Sequence, residues 1–253
     1  MHLPADDPTV VEVTRLVQVG DLEGLRKVLD ERPELVTARF GDPDCSRTLL
    51  HAATDWPGHF PNGPEVVRLL VDRGAEVDAR FVGGPNGHTE TPLHWAASSD
   101  DVAVLDALLD LGADIEAPGS VLGGGSPLTD AAGFGQWNAA RRLVERGAHT
   151  RLQDAAALGM LDRMHELLAD PPDHSDIAGP PGRPATVVTR ALWAACNGVQ
   201  WSAAQLLVEH GADVNWVGWD DLTPLDVVER HDATDLAAWL RTQGARTAAE
   251  QHP

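Results

Sequence analysis

Short stretches of apolar residues at helical spacing recur along the chain, and most of them end at the same turn. Runs such as VVRLLVDRG and LLVEHG come directly before a Gly-Ala dipeptide, which recurs at positions 74, 112, 147, 211 and 244. The intervals are about 33 residues long or a little more, and one of them is twice that length. A short amphipathic helix can bury its apolar face only on neighbouring elements. The pattern therefore predicts a stack of similar helical repeats.

The clearest repeat runs from Thr91 to Ala117 and reads TPLHWAASSDDVAVLDALLDLGADIEA. Thr91 can cap a first helix that begins with Pro92, where the missing N–H costs nothing. Apolar positions in VAVLDALLD predict a second helix, and Gly112 can end it in a left-handed turn. This repeat resembles the ankyrin repeat, whose pattern runs T-P-L-H-x-A-A, then G-H, then V-x-x-L-L-x-x-G-A-D.

The same register places six further repeats on the chain, so the resemblance covers most of its length. It implies an all-α ankyrin-repeat solenoid of about seven helix-turn-helix units with hairpin-like finger loops, in a single domain over 1–253. We expect a degenerate N-terminal cap at 1–40 and a C-terminal cap repeat at 223–245. A Pro-rich stretch at 169–188 interrupts the pattern, and it is either a surface insertion or a flap across the binding face.

The chain is strongly acidic, with 39 acidic residues, 19 lysines and arginines, and a net charge of −20. Phosphate binding needs clustered Lys and Arg, so this charge argues against nucleic acid and anionic membranes as partners. It is compatible with a role in solubility alone, and it also fits a basic partner or a cationic ligand.

Motifs for metals, cofactors and secretion are missing from the sequence. Cys45 and Cys196 lie far apart and give neither a disulfide framework nor a metal-ligand spacing. The GGG at 123–125 lacks the lysine of a phosphate loop, so we expect no cofactor and no metal. The N-terminus lacks the basic start and apolar segment of a signal peptide, and no apolar run approaches membrane-spanning length. We therefore expect a cytoplasmic protein.

In the ankyrin family the first helices and the fingers line a concave face that binds partners. The residue after the T-P-L-H histidine projects into that face, as do residues three, four and seven positions further along. Most of the eight tryptophans map to this face or its fingers, whereas Trp239 lies on the last second helix and is expected to pack there. The candidate ligand-binding residues are Asp55, Trp56, His59, Trp95, Phe134, Trp137, Trp193, Asn197, Trp201, Trp216 and Trp219. Aromatic rings at these positions would offer apolar platforms and can bind cations through their faces.

Two aspartates, Asp130 and Asp154, follow the histidine position in adjacent repeats, between Trp95 and Trp193. Packed helices lie about 8–10 Å apart, so we expect the two carboxylates to face one cavity. Such a pair would raise one pKa and is the arrangement of a general acid with a partner. Alternatively, each aspartate caps a neighbouring helix or pairs with an arginine such as Arg151 or Arg190.

His51 and His94 occupy the position of the family histidine, which ties a helix start to the adjoining finger by hydrogen bonds. The resemblance therefore implies a structural role for both. Thr129 and Asp226 stand at this position in other repeats, where polar side chains can make similar bonds. His59, among the residues inserted in the second repeat, lies outside the pattern and belongs to a second candidate cluster.

Two classes of function stay open. The first is a binding protein that recognises a partner protein or peptide through its acidic, Trp-rich concave groove. The alternative is a small-molecule-binding ankyrin protein, or an atypical cofactor-independent enzyme of the acid/base cyclase or isomerase type in which Asp130 or Asp154 donates a proton. No recognised catalytic motif decides between them. The many groove tryptophans argue against a purely structural protein.

Overall fold

The computed structural model describes residues 1–83, 89–169 and 182–251. In this part of the chain the α-helices come in successive pairs, each with a first helix, a short connection and a second helix. The pairs are α1 (Pro8–Val19) with α2 (Leu22–Glu31), α3 (Leu49–Thr54) with α4 (Gly63–Asp72), α5 (Pro92–Ser98) with α6 (Val102–Asp110), α7 (Pro127–Gly133) with α8 (Trp137–Glu145), α9 (Leu152–Ala157) with α10 (Leu161–Ala169), α11 (Val187–Asn197) with α12 (Trp201–Glu209), and α13 (Pro224–Arg230) with α14 (Thr234–Thr242). A short helix, α15 (Ala248–Gln251), follows them. The prediction of an all-α repeat fold is confirmed.

The chain divides into two compact units. The first unit consists of Met1–Ala131 and Asn138–Ala148, and the second unit consists of Ala132–Trp137 and His149–Pro253. The single domain over 1–253 stays a prediction. Most of the Pro-rich stretch at 169–188 lies outside the described residues, as does the middle of the RFVGGPNGHTE connection before the third repeat.

A small sheet at the start of the first unit is a feature that the sequence did not predict. β1 (His2–Leu3) pairs in parallel with β2 (Arg39–Asp42), which pairs antiparallel with β3 (Cys45–Arg47). The Arg39 guanidinium also donates to the Ser46 hydroxyl at 3.0 Å. Strands this short carry too few residues for the alternation of apolar and polar positions that identifies a strand in a sequence.

Leucines and alanines of the paired helices form the core of each unit. Leu93 in α5 and Leu105 and Leu108 in α6 are fully buried. Full burial of a leucine side chain contributes about 1.5–3 kcal/mol to folding. Because α5 has only seven residues, it would not be stable alone, and packing against neighbouring helices holds it in place.

Two repeats of the first unit share one arrangement at the start of the first helix. Nδ1 of His51 and Nδ1 of His94 lie 3.0 Å and 2.9 Å from the hydroxyl of the capping threonine. Nε2 of His51 then donates to the carbonyl of Glu90 at 3.2 Å, and Nε2 of His94 donates to that of Gly125 at 3.3 Å. Each imidazole therefore joins the cap of its own helix to the residue just before the cap of the next repeat's first helix.

Trp193 takes the place of this histidine in the second unit. It precedes the left-handed residue Val199 by the same interval as His94 precedes the left-handed Asp100. Nε1 of Trp193 donates to the carbonyl of Leu222 at 3.0 Å. Leu222 directly precedes the cap of α13, so the indole makes the same connection as the imidazoles of the first unit.

The register of α11 differs by one residue from the sequence prediction. The sequence predicts that Thr189 begins this repeat, as Thr91 does in the third repeat. The helix is instead capped by Thr186, whose hydroxyl accepts the N–H of Thr189 at 3.1 Å. The helix therefore begins three residues earlier than predicted. Trp193 lies at the histidine position, as its interval to Val199 and its bond to Leu222 indicate, and not, as predicted, at the next position, which faces the groove.

Three tryptophans of the second unit pack around the finger that precedes α13. The ring centroids of Trp193 and Trp219 are 5.0 Å apart and those of Trp216 and Trp219 are 5.5 Å apart, both edge to face. Gly218 lies against two of the rings, and a Cβ at this position would come within 2.7 Å of Trp193 and 2.6 Å of Trp216. Rings in mutual contact stabilise the finger and leave no space for a ligand between them.

Among the residues described, no helix combines the length and the apolar composition needed to cross a bilayer.

We expect the first unit to lose stability in acid because of His51 and His94. Burial lowers the pKa of His51 to about 3 and that of His94 to about 4. An unfolded histidine takes up a proton near pH 6.5 while these imidazoles stay neutral, so the unfolded state binds more protons below that pH. The free energy of unfolding should therefore fall by about 1.4 kcal/mol per histidine for each pH unit below 6.5, until the folded pKa is reached. Urea unfolding at several pH values measures this slope, and an unchanged slope in His94→Gln would contradict the assignment.

Trp193→Phe should lower the free energy of unfolding by about 1–2 kcal/mol, because the carbonyl of Leu222 loses its donor while most of the ring is kept. Urea unfolding monitored by far-UV circular dichroism measures the change. The matched control is Trp201→Phe, at a tryptophan that is 38% exposed, where we expect a change within about 0.5 kcal/mol. Equal losses in the two variants would mean that ring area, and not the hydrogen bond, matters at Trp193.

Candidate functional site

Asp130 and Glu90 form a buried pair of carboxyl groups in the first unit. The exposed fraction is 0% for Asp130 and 8% for Glu90. Oδ1 of Asp130 accepts a hydrogen bond from the Ser120 hydroxyl at 2.5 Å. Oδ2 is buried and accepts no hydrogen bond from an N–H or hydroxyl group of the described residues, and the Glu90 side chain is hydrogen-bonded to Asp130. Two carboxyl groups can bond to each other only when one of them carries a proton.

The pKa of Asp130 is raised well above its usual value. Burial is the largest cause, and the negative charge of Glu90 and the hydrogen bond between the carboxyl groups add to it. The hydrogen bond from Ser120 acts in the opposite direction. Carboxyl groups that share a site cannot both ionise easily, so the pair keeps a proton at a pH where an exposed aspartate has lost it.

Trp95, Phe81 and His51 form an aromatic wall that is joined to Glu90. The ring centroid of Trp95 lies 5.5 Å from that of Phe81 and 5.0 Å from that of His51. The Glu90 carbonyl accepts the N–H of Phe81 at 2.7 Å and Nε2 of His51 at 3.2 Å. We call Phe81, Trp95, Glu90 and Asp130 the acid–aromatic cluster. Its rings are partly exposed, and it combines an apolar surface, a retained proton and negative charge.

Asp154 lies in the second unit and caps its own helix. It is buried, and its Oδ2 accepts the backbone N–H of Arg151 at 3.0 Å. The alternative that the sequence leaves open is a cap on a neighbouring helix, whereas Asp154 caps the helix to which it belongs. The expected common cavity of Asp130 and Asp154 stays a prediction.

The residues inserted after α3 expose the side chain of Trp56. The exposed fraction of Trp56 is 79%, the largest of the exposed apolar residues. Its backbone N–H donates to Asp55 at 3.0 Å, and the Asp55 carboxylate forms an ion pair with Arg47 at 2.5 Å. The predicted neighbours Asp55 and Trp56 thus lie together, with the aspartate holding the backbone and the indole facing solvent.

The rest of this loop is fastened to other repeats of the first unit. The backbone N–H of His59 donates to Asp101 at 2.7 Å, and the side-chain amide of Asn62 donates to the carbonyl of Gly20 at 2.9 Å. The His59 ring itself is largely exposed, with its Nδ1 4.0 Å from the Asp101 carboxylate. The loop therefore contacts the repeats on either side of its own, and its backbone has little freedom.

The remaining predicted residues lie in the second unit and differ in exposure. Phe134 is 50% exposed and Trp201 is 38% exposed, whereas Trp137 is partly buried. The ring of Trp201 lies 5.9 Å from that of Trp239, which packs on the last helix pair as expected. Trp193, Trp216 and Trp219 are the packed rings described above.

Asn197 has a structural role at the end of α11. Its side-chain amide donates to the carbonyls of Ala132 and Gly133, each at 3.2 Å. Its Oδ1 lies 3.4 Å from Nε2 of His231. A buried amide with these partners links three helix ends of the second unit.

Sequence reasoning missed Glu90 and Phe81, which complete the acid–aromatic cluster, and Ser120, which donates to Asp130. Glu90 directly precedes the cap of α5, the same place that Gly125 occupies before α7. The one signal for Glu90 in the sequence was a charged residue directly before the T-P-L-H motif. The carbonyl at that position accepts a hydrogen bond from the histidine of the preceding repeat, so its side chain is held close to the stack. Ser120 and Phe81 lie in fingers of irregular length, for which the repeat pattern gives no register.

A shallow cavity of about 310 Å³ lies on the last helix pair, apart from the predicted residues. Its lining residues are Glu229, Asp232, Ala233, Thr234, Ala237, Ala238 and Arg241. Within the described ranges, no three or more His, Cys, Asp or Glu side chains are grouped so that they could hold a metal ion.

Comparison with known proteins identifies the repeats. Residues 15–119 match the family model described as ankyrin repeats in three copies. The chain is 41% identical over 90 residues to Ankyrin repeat and KH domain-containing protein 1 of Homo sapiens, an alignment that covers 36% of this chain and 3% of the human protein. It is 28% identical over 222 residues to Palmitoyltransferase AKR1 of Lachancea kluyveri, covering 87% of this chain and 25% of that protein. It is 31% identical over 193 residues to an ankyrin repeat and KH domain-containing protein of Caenorhabditis briggsae, covering 72% and 7%.

The chain therefore spans between 3% and 25% of the length of these three relatives. The family match falls on residues where the structure has paired helices joined by the capping histidines. On this evidence the chain belongs to the ankyrin-repeat family.

Proposed function

We propose that this chain binds a partner protein or peptide of basic character, with Trp56 as a main contact. The observation that carries the proposal is the 79% exposure of Trp56 on a loop that is hydrogen-bonded to three repeats. Tryptophan is enriched among the residues that dominate binding energy at interfaces. Ankyrin arrays use extended surfaces to bind other proteins, so the family supports the same class of function.

The rigidity of the loop supports this role for Trp56. Hydrogen bonds from Trp56 to Asp55, from His59 to Asp101 and from Asn62 fix the backbone before any partner is present. A contact residue that is already ordered loses little conformational entropy on binding, so more of its contact energy contributes to affinity.

We propose that the contact region extends to Trp95 and Phe81, and that it includes the part of the predicted acidic, Trp-rich groove that lies in the first unit but not Trp201. The helices α3 and α5 pack against each other. Trp95 lies on α5, and the Trp56 loop follows α3 directly. A basic partner suits the net charge of −20, because opposite charge accelerates association and its effect weakens with salt.

The finer architecture and location belong to the same proposal. We infer that the seven helix pairs are seven ankyrin repeats, that α1 with α2 and α13 with α14 are the caps, and that the chain acts in the cytoplasm without binding nucleic acid. Two thiols without a disulfide, on Cys45 and Cys196, suit a reducing compartment.

Trp56→Ala should weaken binding of a basic peptide by about thirtyfold, because loss of a central tryptophan contact costs about 2 kcal/mol. The peptides are selected from a displayed library of random sequences rich in Lys and Arg, with the wild-type chain as target. Fluorescence anisotropy of the labelled peptide then gives the Kd for each variant.

Trp201→Ala is the matched control for this measurement, because it also removes an exposed tryptophan but from the second unit. Its Kd should stay within about twofold of the wild type, and the thermal midpoint should be unchanged in both variants. Equal losses of affinity in the two variants, or a library that yields no binder, would contradict the proposal.

A second candidate function, favoured by the acid–aromatic cluster, is the binding or acid/base conversion of a small molecule. A retained proton beside partly exposed rings is a feature of sites that protonate or bind an apolar or cationic molecule. In the sequence prediction the carboxyl partner of Asp130 is Asp154, whereas the hydrogen bond between Glu90 and Asp130 favours Glu90 in that role.

Titration of tryptophan fluorescence with a panel of small organic cations and apolar compounds tests this candidate. A saturable change that Asp130→Asn and Glu90→Gln abolish and Asp154→Asn retains would support a site built on Glu90 and Asp130. Loss of the change in Asp154→Asn would favour the pair expected from the sequence. The absence of any saturable change in the wild-type chain would count against a small-molecule function.

A further inference from the structure

We propose that Glu90 and Asp130 form a proton-controlled latch for the finger loop 118–125: a proton shared by the two carboxyl groups fastens the loop, and loss of that proton releases it. The inference goes beyond the proposed binding function and does not depend on it. It concerns the first unit alone.

Ser120 is the residue through which the loop is fastened. Its hydroxyl donates to Oδ1 of Asp130 at 2.5 Å and accepts the N–H of Leu122 at 2.9 Å. Its carbonyl accepts the N–H of Gly124 at 2.8 Å, and its N–H donates to the carbonyl of Gly125 at 3.1 Å. One contact to Asp130 therefore holds a residue that bonds to Leu122, Gly124 and Gly125 of the loop. The ends of the loop are also held by Arg80 at Pro118 and by His94 at Gly125, so the latch acts on the part of the loop between them.

Asp130 lies on α7, the first helix of its repeat, and this helix lacks the threonine–histidine cap found in α3 and α5. In α3 and α5 a threonine and a histidine bond to each other at the helix start. Ser126 and Thr129 occupy these positions in α7, and the hydroxyl groups of both are buried without a hydrogen-bond partner among the described residues. The bond between Ser120 and Asp130 is thus the side-chain contact that ties this helix start to its finger.

The two carboxyl groups keep this contact only while they share a proton. With a proton between them, Glu90 and Asp130 attract each other, and Oδ1 of Asp130 stays available to Ser120. When both are ionised, two negative charges with 8% and 0% exposure face each other, which is strongly unfavourable in a poorly solvated site. The bond from Ser120 favours the ionised form of Asp130, so in this proposal the repulsion between the carboxylates outweighs that bond. Separation of the carboxyl groups and entry of water then relieve the repulsion and break the contact to Ser120.

The charged and titratable groups around the pair do not remove this dependence. Arg80 donates to the carbonyls of Thr89 and Pro118, so its guanidinium is occupied at the two finger backbones. His51 and His94 lie against the carbonyls of Glu90 and Gly125, and burial lowers the pKa of both rings, so they carry no charge at neutral pH. The charge that acts on Asp130 is that of Glu90, and the raised pKa of Asp130 agrees with this arrangement.

The sign of the pH dependence follows from proton binding. The folded state holds the shared proton above the pH at which an unfolded aspartate has lost it, so the folded state binds more protons. The loop is therefore held most firmly at low pH and loosens as the pH rises through the raised pKa of the pair. This direction is opposite to that of the buried histidines, and the two effects can be separated experimentally.

Hydrogen exchange measured by mass spectrometry between pH 6 and pH 9 tests the latch on the full chain. After correction for intrinsic exchange rates, protection of the 118–125 amides in the wild type should fall by about tenfold or more as the pair ionises. In Asp130→Asn protection should stay constant, because the amide keeps an acceptor for Ser120 and donates an N–H to Glu90 without any proton to lose. Glu90→Gln should give the same constant protection, and it provides a second variant if the first one folds poorly.

Asp154→Asn is the matched control, because it changes a buried aspartate outside the latch and should keep the pH dependence of the wild type. The finger at 216–222 is an internal control, because it is held by indole, arginine and backbone hydrogen bonds and by ion pairs of Asp220 and Asp221 with arginines, and not by a pair of carboxyl groups that share a proton. Protection that is independent of pH in the wild type would overturn the proposal. A pH dependence that survives in both Asp130→Asn and Glu90→Gln would overturn it equally.

Discussion

The rest of each unit depends on one hydrogen bond between neighbouring repeats. It runs from a side chain on the first helix of one repeat to the backbone carbonyl just before the cap of the next repeat's first helix. His51, His94 and Trp193 each make it, to Glu90, Gly125 and Leu222 respectively. The helices it joins are too short to persist alone, so their burial and their mutual position require each other. Where this contact is present, it fixes the position of the finger backbone relative to the helix. The residues next to the bonded carbonyl are therefore also fixed in position.

The placement of Glu90 illustrates this dependence. Its backbone is fixed because its carbonyl receives His51, and its side chain is therefore held near the buried carboxyl group of Asp130. The structural hydrogen bond from His51 thereby positions the Glu90 carboxyl group, which can share a proton with Asp130. The same repeat lacks a capping histidine at Thr129, and two buried hydroxyl groups without partners remain there. The first unit thus combines a regular, well-bonded start with a final repeat whose polar contacts are unusual.

Repeat type, helix pairs and the structural role of His51 and His94 could be predicted from the sequence, because each depends on residues at fixed intervals within one repeat. The pairing of Asp130 with Glu90 could not, because it joins a helix to a finger of irregular length. Trp193 was placed one position too late, because Thr189 looks like the start of the repeat, whereas the helix begins earlier and is longer than the first helices of the two adjacent repeats. The exposure of the tryptophan side chains could not be predicted either. The sequence places both Trp56 and Trp193 on the concave face, yet Trp56 is exposed to solvent and Trp193 is buried.

The replacement of imidazole by indole in the second unit has a consequence for where the helix that carries it begins. An imidazole has two polar atoms, so it connects its own helix cap to the next finger, and neither can shift without the other. An indole has only one and bonds to the finger alone. The start of α11 is joined to the next finger by other groups: the Thr189 hydroxyl accepts the N–H of Asp213 at 3.0 Å, and Arg183, which lies just before the helix, donates to the carbonyl of Gly218 at 3.1 Å. The cap is not tied to Trp193 and lies at Thr186, so α11 begins earlier than the repeat pattern requires, next to the longest interruption of that pattern in the sequence.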